Sequence, residues 1–270
     1  LRVGQIGARL WAAMLVAAAM QGQQALAQDA DDLAKKLSNP VADLVSVPFQ
    51  SNFEFRAGAE EDGFSYTLNV QPVIPITLNA DWNLISRTIL PIAYRDYLPP
   101  PDGNTFGLGD ITQSLFLSPA NPGPSGIVWG VGPAFLIPTA TEDFLGTGKF
   151  GIGPTAVVLK QEGPWTVGAL GNHIWSVAGE GDRADVSQTF LQPFLSYGFG
   201  HGATLTLNTE STYDWEADQW TVPINLSVSQ VFKVGDQMLQ AQIGGKYYAE
   251  APQGAPSWGV RATLTFLFPK

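Results

Sequence analysis

The most restrictive feature of this sequence is a strict two-residue alternation in residues 257–268. Trp258, Val260, Ala262, Leu264, Phe266 and Phe268 fall on one side of an extended chain, with Gly259, Arg261, Thr263 and Thr265 on the other, because successive strand side chains point to opposite faces. A ribbon with one apolar face has to cover it. In a soluble sandwich that face turns inward; in a transmembrane barrel it turns to lipid and the polar face lines the lumen.

The pattern recurs along the chain. Alternating segments bounded by turn formers lie near 44–56, 64–78, 82–95, 107–117, 127–138, 149–160, 164–177, 186–198, 202–215, 219–232, 238–249 and 257–268. These make twelve, and an even count returns both ends of a bacterial single-chain barrel to the periplasm. The ninth segment sets Ala203, Leu205, Leu207, Tyr213 and Trp215 against Thr204, Thr206, Asn208, Glu210, Thr212 and Asp214; the second and tenth alternate as cleanly. Pro91, Gly168, Gly171 and Pro193 predict bulges in the third, seventh and eighth segments.

Connector lengths are an independent test, since such barrels have short periplasmic turns and longer outer loops. The even connectors, such as Asn79-Ala80-Asp81 and Val234-Gly235-Asp236, are mostly tight, whereas 96–106 and 139–148 are long. That orientation puts Trp82, Trp129, Trp165, Tyr197, Phe232, Phe266 and Phe268 at periplasmic ends. Phe64, Tyr66, Tyr94, Trp175, Tyr213, Trp215, Trp220, Tyr247 and Trp258 then fall at outer ends. Two girdles of amphipathic rings at headgroup level are what a membrane barrel carries.

Residues 1–27 read as a secretory signal: Arg2 and Arg9, an apolar run from Leu10 to Met20, then Ala25-Leu26-Ala27. Its loss leaves about 243 residues and takes the formal charge from -10 to -12. An acidic chain without a basic patch argues against nucleic acid as a partner. There are no cysteines, which excludes disulfides and thiolate zinc sites. Charged residues make up only 14%, while Gly occurs 29 times and Pro 20, so turn formers are plentiful and charge is well under the ~25% of soluble domains. Residues 28–43 form a periplasmic segment in which Leu33 and Leu37 stand at helical spacing, Asp residues open the first turn and Pro40 stops the helix. The barrel itself is assigned to 44–268.

Several phrases are also familiar. Leu33-Ala34-Lys35-Lys36-Leu37-Ser38-Asn39-Pro40, Gln71-Pro72-Val73-Ile74-Pro75, Asp81-Trp82-Asn83-Leu84-Ile85-Ser86-Arg87, Phe106-Gly107-Leu108-Gly109-Asp110, Lys160-Gln161-Glu162-Gly163-Pro164-Trp165 and the run from Asn208 to Trp215 resemble the outer-membrane barrels grouped as the MetA-pathway of phenol degradation family. The resemblance runs through the chain after the signal. It implies a porin-like role in uptake of aromatic or other small compounds, and it carries over no catalytic residue.

Charges that alternate onto the inner face are Glu54, Arg56, Arg87, Arg95, Asp110, Glu210, Asp214, Lys246 and Arg261. The first and last strands must adjoin to close a barrel, so Glu54, Lys246 and Arg261 are expected to share one zone. With Arg87, Asp110, Glu210 and Asp214 they are the candidates for a constriction that orients solutes; paired across a filled lumen, the same groups would hold it shut. An enzyme is the rival class, with His173 and His201 as the available imidazoles and Ser176 three positions from His173. Acidic outer loops such as Glu60-Glu61-Asp62 match no dedicated metal loop, and no cofactor motif is present. The expected protein is therefore an all-β, up-and-down antiparallel barrel of about twelve strands with a short N-terminal periplasmic helix. Its expected partners are outer-membrane lipid and lipopolysaccharide, small-molecule solutes, and the barrel-assembly machinery acting on the C-terminal strand. The alternatives are a lipid-modifying enzyme and a closed structural barrel.

Overall fold

The structure, a computed structural model, describes residues 29–97 and 103–269. The signal-peptide expectation for 1–27 lies outside the described residues. A helix, α1, covers residues 29–37. The strands that follow are β1 (Val45–Ala57), β2 (Gly63–Val70), β3 (Val73–Thr77), β4 (Trp82–Arg95), β5 (Thr105–Leu108), β6 (Ile111–Pro119), β7 (Ile127–Ile137) and β8 (Lys149–Glu162). Then come β9 (Trp165–Gly179), β10 (Ser187–Gly200), β11 (Ala203–Thr209), β12 (Ser211–Asp214), β13 (Gln219–Val234), β14 (Gln237–Glu250) and β15 (Trp258–Phe268).

Fifteen strands make twelve membrane spans. β2 and β3 are one span interrupted at Gln71-Pro72, β5 and β6 one interrupted at Gly109-Asp110, and β11 and β12 one interrupted at Glu210. Each span pairs antiparallel with its neighbour, and β15 closes on β1 from Val45 opposite Phe268 to Phe55 opposite Trp258. Closure leaves no unpaired edge, which is how strands satisfy their backbone groups in lipid.

The barrel is apolar outside and polar inside. On β13, Ile224, Leu226 and Val228 are exposed while the intervening Asn225 is buried, and on β15 Trp258, Val260 and Leu264 face out against buried Arg261, Thr263 and Thr265. The rings form two chains. Trp82 with Trp129, Trp165 with Tyr197, and Phe49 with Phe266 mark the end that carries the short turns. Phe55 with Trp258, Phe64 with Tyr94, and Tyr213 with Trp215 and Trp220 mark the other. The loop 138–148 at that outer end carries a single 3-10 turn, Asp143–Leu145.

Two expectations need correction. The residues taken to predict bulges stay in register: Asn69 faces Pro91, Ala169 faces Pro193 and Phe194 faces Gly168. A proline forfeits one ladder bond to one neighbour without adding a residue, so the pairing survives it. The extra residues fall near strand ends instead, at Arg56 of β1, Val177 of β9, Phe199 of β10 and Ala249 of β14, so the seventh and eighth segments do carry a bulge, away from their Gly and Pro positions. The first bulge removes Arg56 from the inner face. Its φ is 63°, and its guanidinium pairs with Glu61 at 2.6 Å in the outer loop.

Packed apolar residues lie inside the turn end of the barrel. Ala30, Leu33 and Ala34 of α1, with Leu44, meet the inward-facing Val231 and Leu267. Asp31 accepts the Gly202 amide at 2.6 Å, and the Lys35 carbonyl accepts from Gln161 Nε2 at 2.8 Å. The chain after α1 runs into the lumen, where Val41 is buried against Ile85, Phe116, Val157, Leu159 and Leu170. The N-terminal segment thus fills one side of the turn end of the lumen.

Candidate functional site

Inward positions of β1, β14 and β15 meet at the barrel seam. Glu54 and Lys246 both lie opposite Gly259, and their side chains meet across it, Lys246 Nζ to Glu54 Oε1 at 2.8 Å. The Tyr248 hydroxyl donates to the same oxygen at 2.6 Å. Two residues toward the turn end, Arg261 lies between Asn52 and Gly244. Its Nε donates to Asn52 Oδ1 at 2.8 Å, while Nη1 and Nη2 reach Glu210 Oε1 and Oε2 at 2.8 and 2.7 Å. The glycines at these inward positions leave room for the two ion pairs, and a Cβ at Gly259 would meet Phe53 O at 2.7 Å. Glu210 belongs to the interrupted β11/β12 span, so its bond to Arg261 crosses the barrel over β13 and β14.

Below this cluster the lumen opens into two adjoining cavities of about 280 and 240 Å³ that share Gln50, Gln71, Arg87, Gln192, Asn208 and Gln242 as walls. Amide and hydroxyl groups dominate the lining. The upper cavity is bounded by Glu210 and Arg261, the lower by the segment 36–44. A third cavity, about 360 Å³, lies beside α1 at the turn end and shares Ser38, Ser196 and Thr204 with the lower one. The cavities form a series from the charged cluster to the mouth beside α1.

Five of the seven candidate residues belong to this region: Glu54, Arg87, Glu210, Lys246 and Arg261. The other two stand apart. Asp110 accepts the amides of Ala140 and Thr147 at 3.1 and 2.6 Å and the Thr147 hydroxyl at 2.8 Å, so it shapes the outer loop 138–148. Asp214 accepts the Glu216 and Ala217 amides and Gln188 Nε2, fixing the turn between β12 and β13. Both are short acids beside a turn, where capping backbone amides is their commonest task. Asn52 and Tyr248 belong to the cluster but are absent from the sequence-based set, which was restricted to formal charge; their even spacing from Glu54 and Lys246 gives the signal that finds them. At the outer rim, Lys149 Nζ meets Asp185 at 3.1 Å, and this hydrogen bond, with Ser176 and the charge of Lys149, holds the Asp185 carboxyl below its ordinary range.

The enzyme candidates are not brought together. His173 faces lipid among the outer rings, with Nδ1 2.7 Å from Thr189 Oγ1 and its ring 4.1 Å from that of Trp175. Ser176 lies on the opposite face and bonds to Asp185 and to the Val186 amide. His201 stands at φ 56° in the turn between β10 and β11. Among the described residues no group of three or more His, Asp or Glu is placed to hold a metal.

The barrel architecture is matched in solved proteins. An outer membrane channel from Pseudomonas putida F1 superimposes with a TM-score of 0.64 at 18% identity, over 83% of this chain and 94% of that one. The fold is that of a bacterial outer-membrane barrel. Outer membrane phospholipase A from Escherichia coli aligns with a TM-score of 0.47 at 12% identity, over 84% of this chain and 90% of that one. The β domain of the Bordetella autotransporter BrkA aligns at 0.44 and 13%, over 83% and 100%. No family model matches the sequence, and no curated protein matches it. At these identities the likeness establishes architecture and leaves activity to the lumen.

Proposed function

We propose that the protein is a passive channel for small solutes across the outer membrane. The observation that carries the reading is the series of polar cavities running from the charged cluster to the mouth beside α1. The two lumen cavities are walled mainly by Gln, Asn, Ser and Thr, which exchange hydrogen bonds with water and solute at little net cost. The superimposed Pseudomonas putida channel supports the same reading at the level of fold. The sequence resemblance to barrels of the phenol-degradation pathway, with the apolar Phe190 and Phe194 beside the amide walls, supports aromatic compounds among the solutes. The reading involves no bond cleavage and no cofactor, and the opposed faces of His173 and Ser176 support that. It also has β15, ending at Phe268, engaged by the barrel-assembly machinery, and the outer girdle in contact with lipopolysaccharide.

The test is swelling of liposomes that contain the purified barrel, diluted into iso-osmotic neutral solutes of increasing size. Swelling that falls off with solute size supports a channel. Swelling no faster than in protein-free liposomes defeats it, and fatty-acid release that disappears in H173A replaces it with a lipid hydrolase.

A further inference from the structure

The ion pairs of the lumen leave two arginines over: Arg95, whose Nη1 is spent on Tyr66 O, Thr67 Oγ1 and Tyr94 O at 3.1, 3.1 and 3.0 Å, and Arg87. Glu54 is matched by Lys246 and Glu210 by Arg261, whereas Arg87 has no carboxylate within ion-pair distance among the described residues. The carboxylate whose charge acts on Arg87 is Glu210, and both its oxygens are taken by Arg261. Among the described residues Arg87 makes a single hydrogen bond, from Nη2 to Gln71 Oε1 at 3.2 Å, although a guanidinium has five donors. It lines both the upper and the lower lumen cavity.

Two further polar atoms at these cavities are buried and unpartnered. Asn225 Oδ1 belongs to the upper cavity and Thr263 Oγ1 to the lower, on residues 5% and 9% exposed. A buried polar atom without a partner is destabilising unless something occupies the space it faces. The surroundings of Arg87 are apolar on one side. Val73 lies directly opposite it on β3, Ile89 is the next inward residue on β4, and Phe190 and Phe194 face it from β10.

We propose that Arg87 anchors a binding site in the lumen for a small organic monocarboxylate with an apolar body, an aromatic acid or a short-chain aliphatic one. The inference rests on the channel reading and names the solute class. A planar guanidinium fork fits a carboxylate with two parallel hydrogen bonds. One cation suits one negative charge, so a phosphate dianion is under-compensated here. The apolar body packs on Phe190, Ile89 and Val73, and the Thr263 hydroxyl is a free donor for an acid bound on the lower side. Cavities of about 280 and 240 Å³ fall just under the ~300 Å³ at which drug-sized pockets begin, so the ligand is small.

Calorimetric titration of the folded barrel in detergent with benzoate, and with neutral benzamide as its isostere, tests this. Charge-assisted hydrogen bonds contribute about 1.5–3 kcal/mol, so wild type should prefer benzoate by about tenfold or more. R87Q should abolish the preference, and R87K, which keeps the charge and loses the fork, should weaken benzoate several-fold. Equal affinity for the two probes in wild type, or unchanged benzoate affinity in R87K, overturns the site; displacement of benzoate by equimolar chloride overturns the requirement for an apolar body. Liposome swelling with neutral solutes, measured alongside, separates the two readings. Swelling without a benzoate preference removes the site and leaves the channel, whereas a preference without swelling removes the channel and leaves the site.

Discussion

Arg261 holds the lumen cluster together, and its removal should be costly in a way that depends on what remains. The R261A variant loses hydrogen bonds of 2.8, 2.8 and 2.7 Å and leaves Glu210 and Asn52 Oδ1 facing a space that the guanidinium had filled. The two ionic side chains are 8% and 22% exposed, so this is a largely desolvated pair. Removing one partner of such a pair costs roughly 3–5 kcal/mol, because the other charge stays behind. Glu210 borders a cavity that water can enter, which places the expected loss near the lower end, about 3 kcal/mol. Urea titration of the barrel in micelles, read by the heat-modifiable band on a gel, measures it. The double variant E210L/R261M removes both charges together and should recover most of the loss. A loss under about 1 kcal/mol for R261A, or a double variant as costly as the two single ones combined, would refute the reasoning. The exposed Arg56–Glu61 pair, at 58% and 59%, is the internal control: R56A should cost less than ~1 kcal/mol.

Three other outcomes are expected. L33D places a charge between α1 and the inward-facing Val231 and Leu267, so the helix should leave the mouth and single-channel conductance should rise while the barrel stays folded; unchanged conductance would show that α1 does not narrow the path. A Cβ at Gly153 would fall on the carbonyl oxygen of His173 in the next strand, so G153A should lose about 1–3 kcal/mol or fail to assemble, and a folded fraction equal to wild type would count against the close approach. The lowered Asp185 carboxyl contributes stability that is complete above about pH 4 and is lost as pH falls through the depressed folded value; in K149M its NMR titration should move back up toward the ordinary ~3.9.

The barrel was legible because period-two alternation and paired girdles are local properties of the chain. Val228 and Ser229 announce their faces without reference to any other strand, and twelve such segments leave little freedom in how the sheet closes. What escaped was set by neighbours. Arg56 has the parity of an inward residue, and only a positive φ at the bulge carries it to the outer loop. Asp110 and Asp214 also have inward parity, yet each lies within reach of backbone amides at a turn and is used there. The plugging of the turn end of the lumen left a subtler trace. Phe116, Val157, Leu159, Val231 and Leu267 are apolar residues at inward positions of a lumen otherwise lined by amides and hydroxyls. Such residues have no reason to face water, and the chain that covers them, from Leu33 to Leu44, supplies the matching apolar side chains.

The same division of labour separates the charges that shape the lumen from the one that reads a solute. Glu54 with Lys246 and Glu210 with Arg261 are satisfied by protein partners, so a passing ion would have to break a buried pair to use them. Arg87 has its donors largely unspent and asks a ligand to displace only water. That matters for flux, since a pore site must bind well enough to draw a solute in and weakly enough to release it. A single guanidinium meets that condition better than a row of them would. The outer rim works against it: Glu60, Glu61, Asp62, Glu142, Asp143, Glu180 and Asp182 are exposed there and repel anions. Their field is screened beyond about 8 Å at physiological ionic strength, whereas the contact at Arg87 is not. Raising salt at fixed benzoate should therefore speed entry more than it weakens binding, and an entry rate that falls with salt would mean that the rim, not the lumen, attracts the acid.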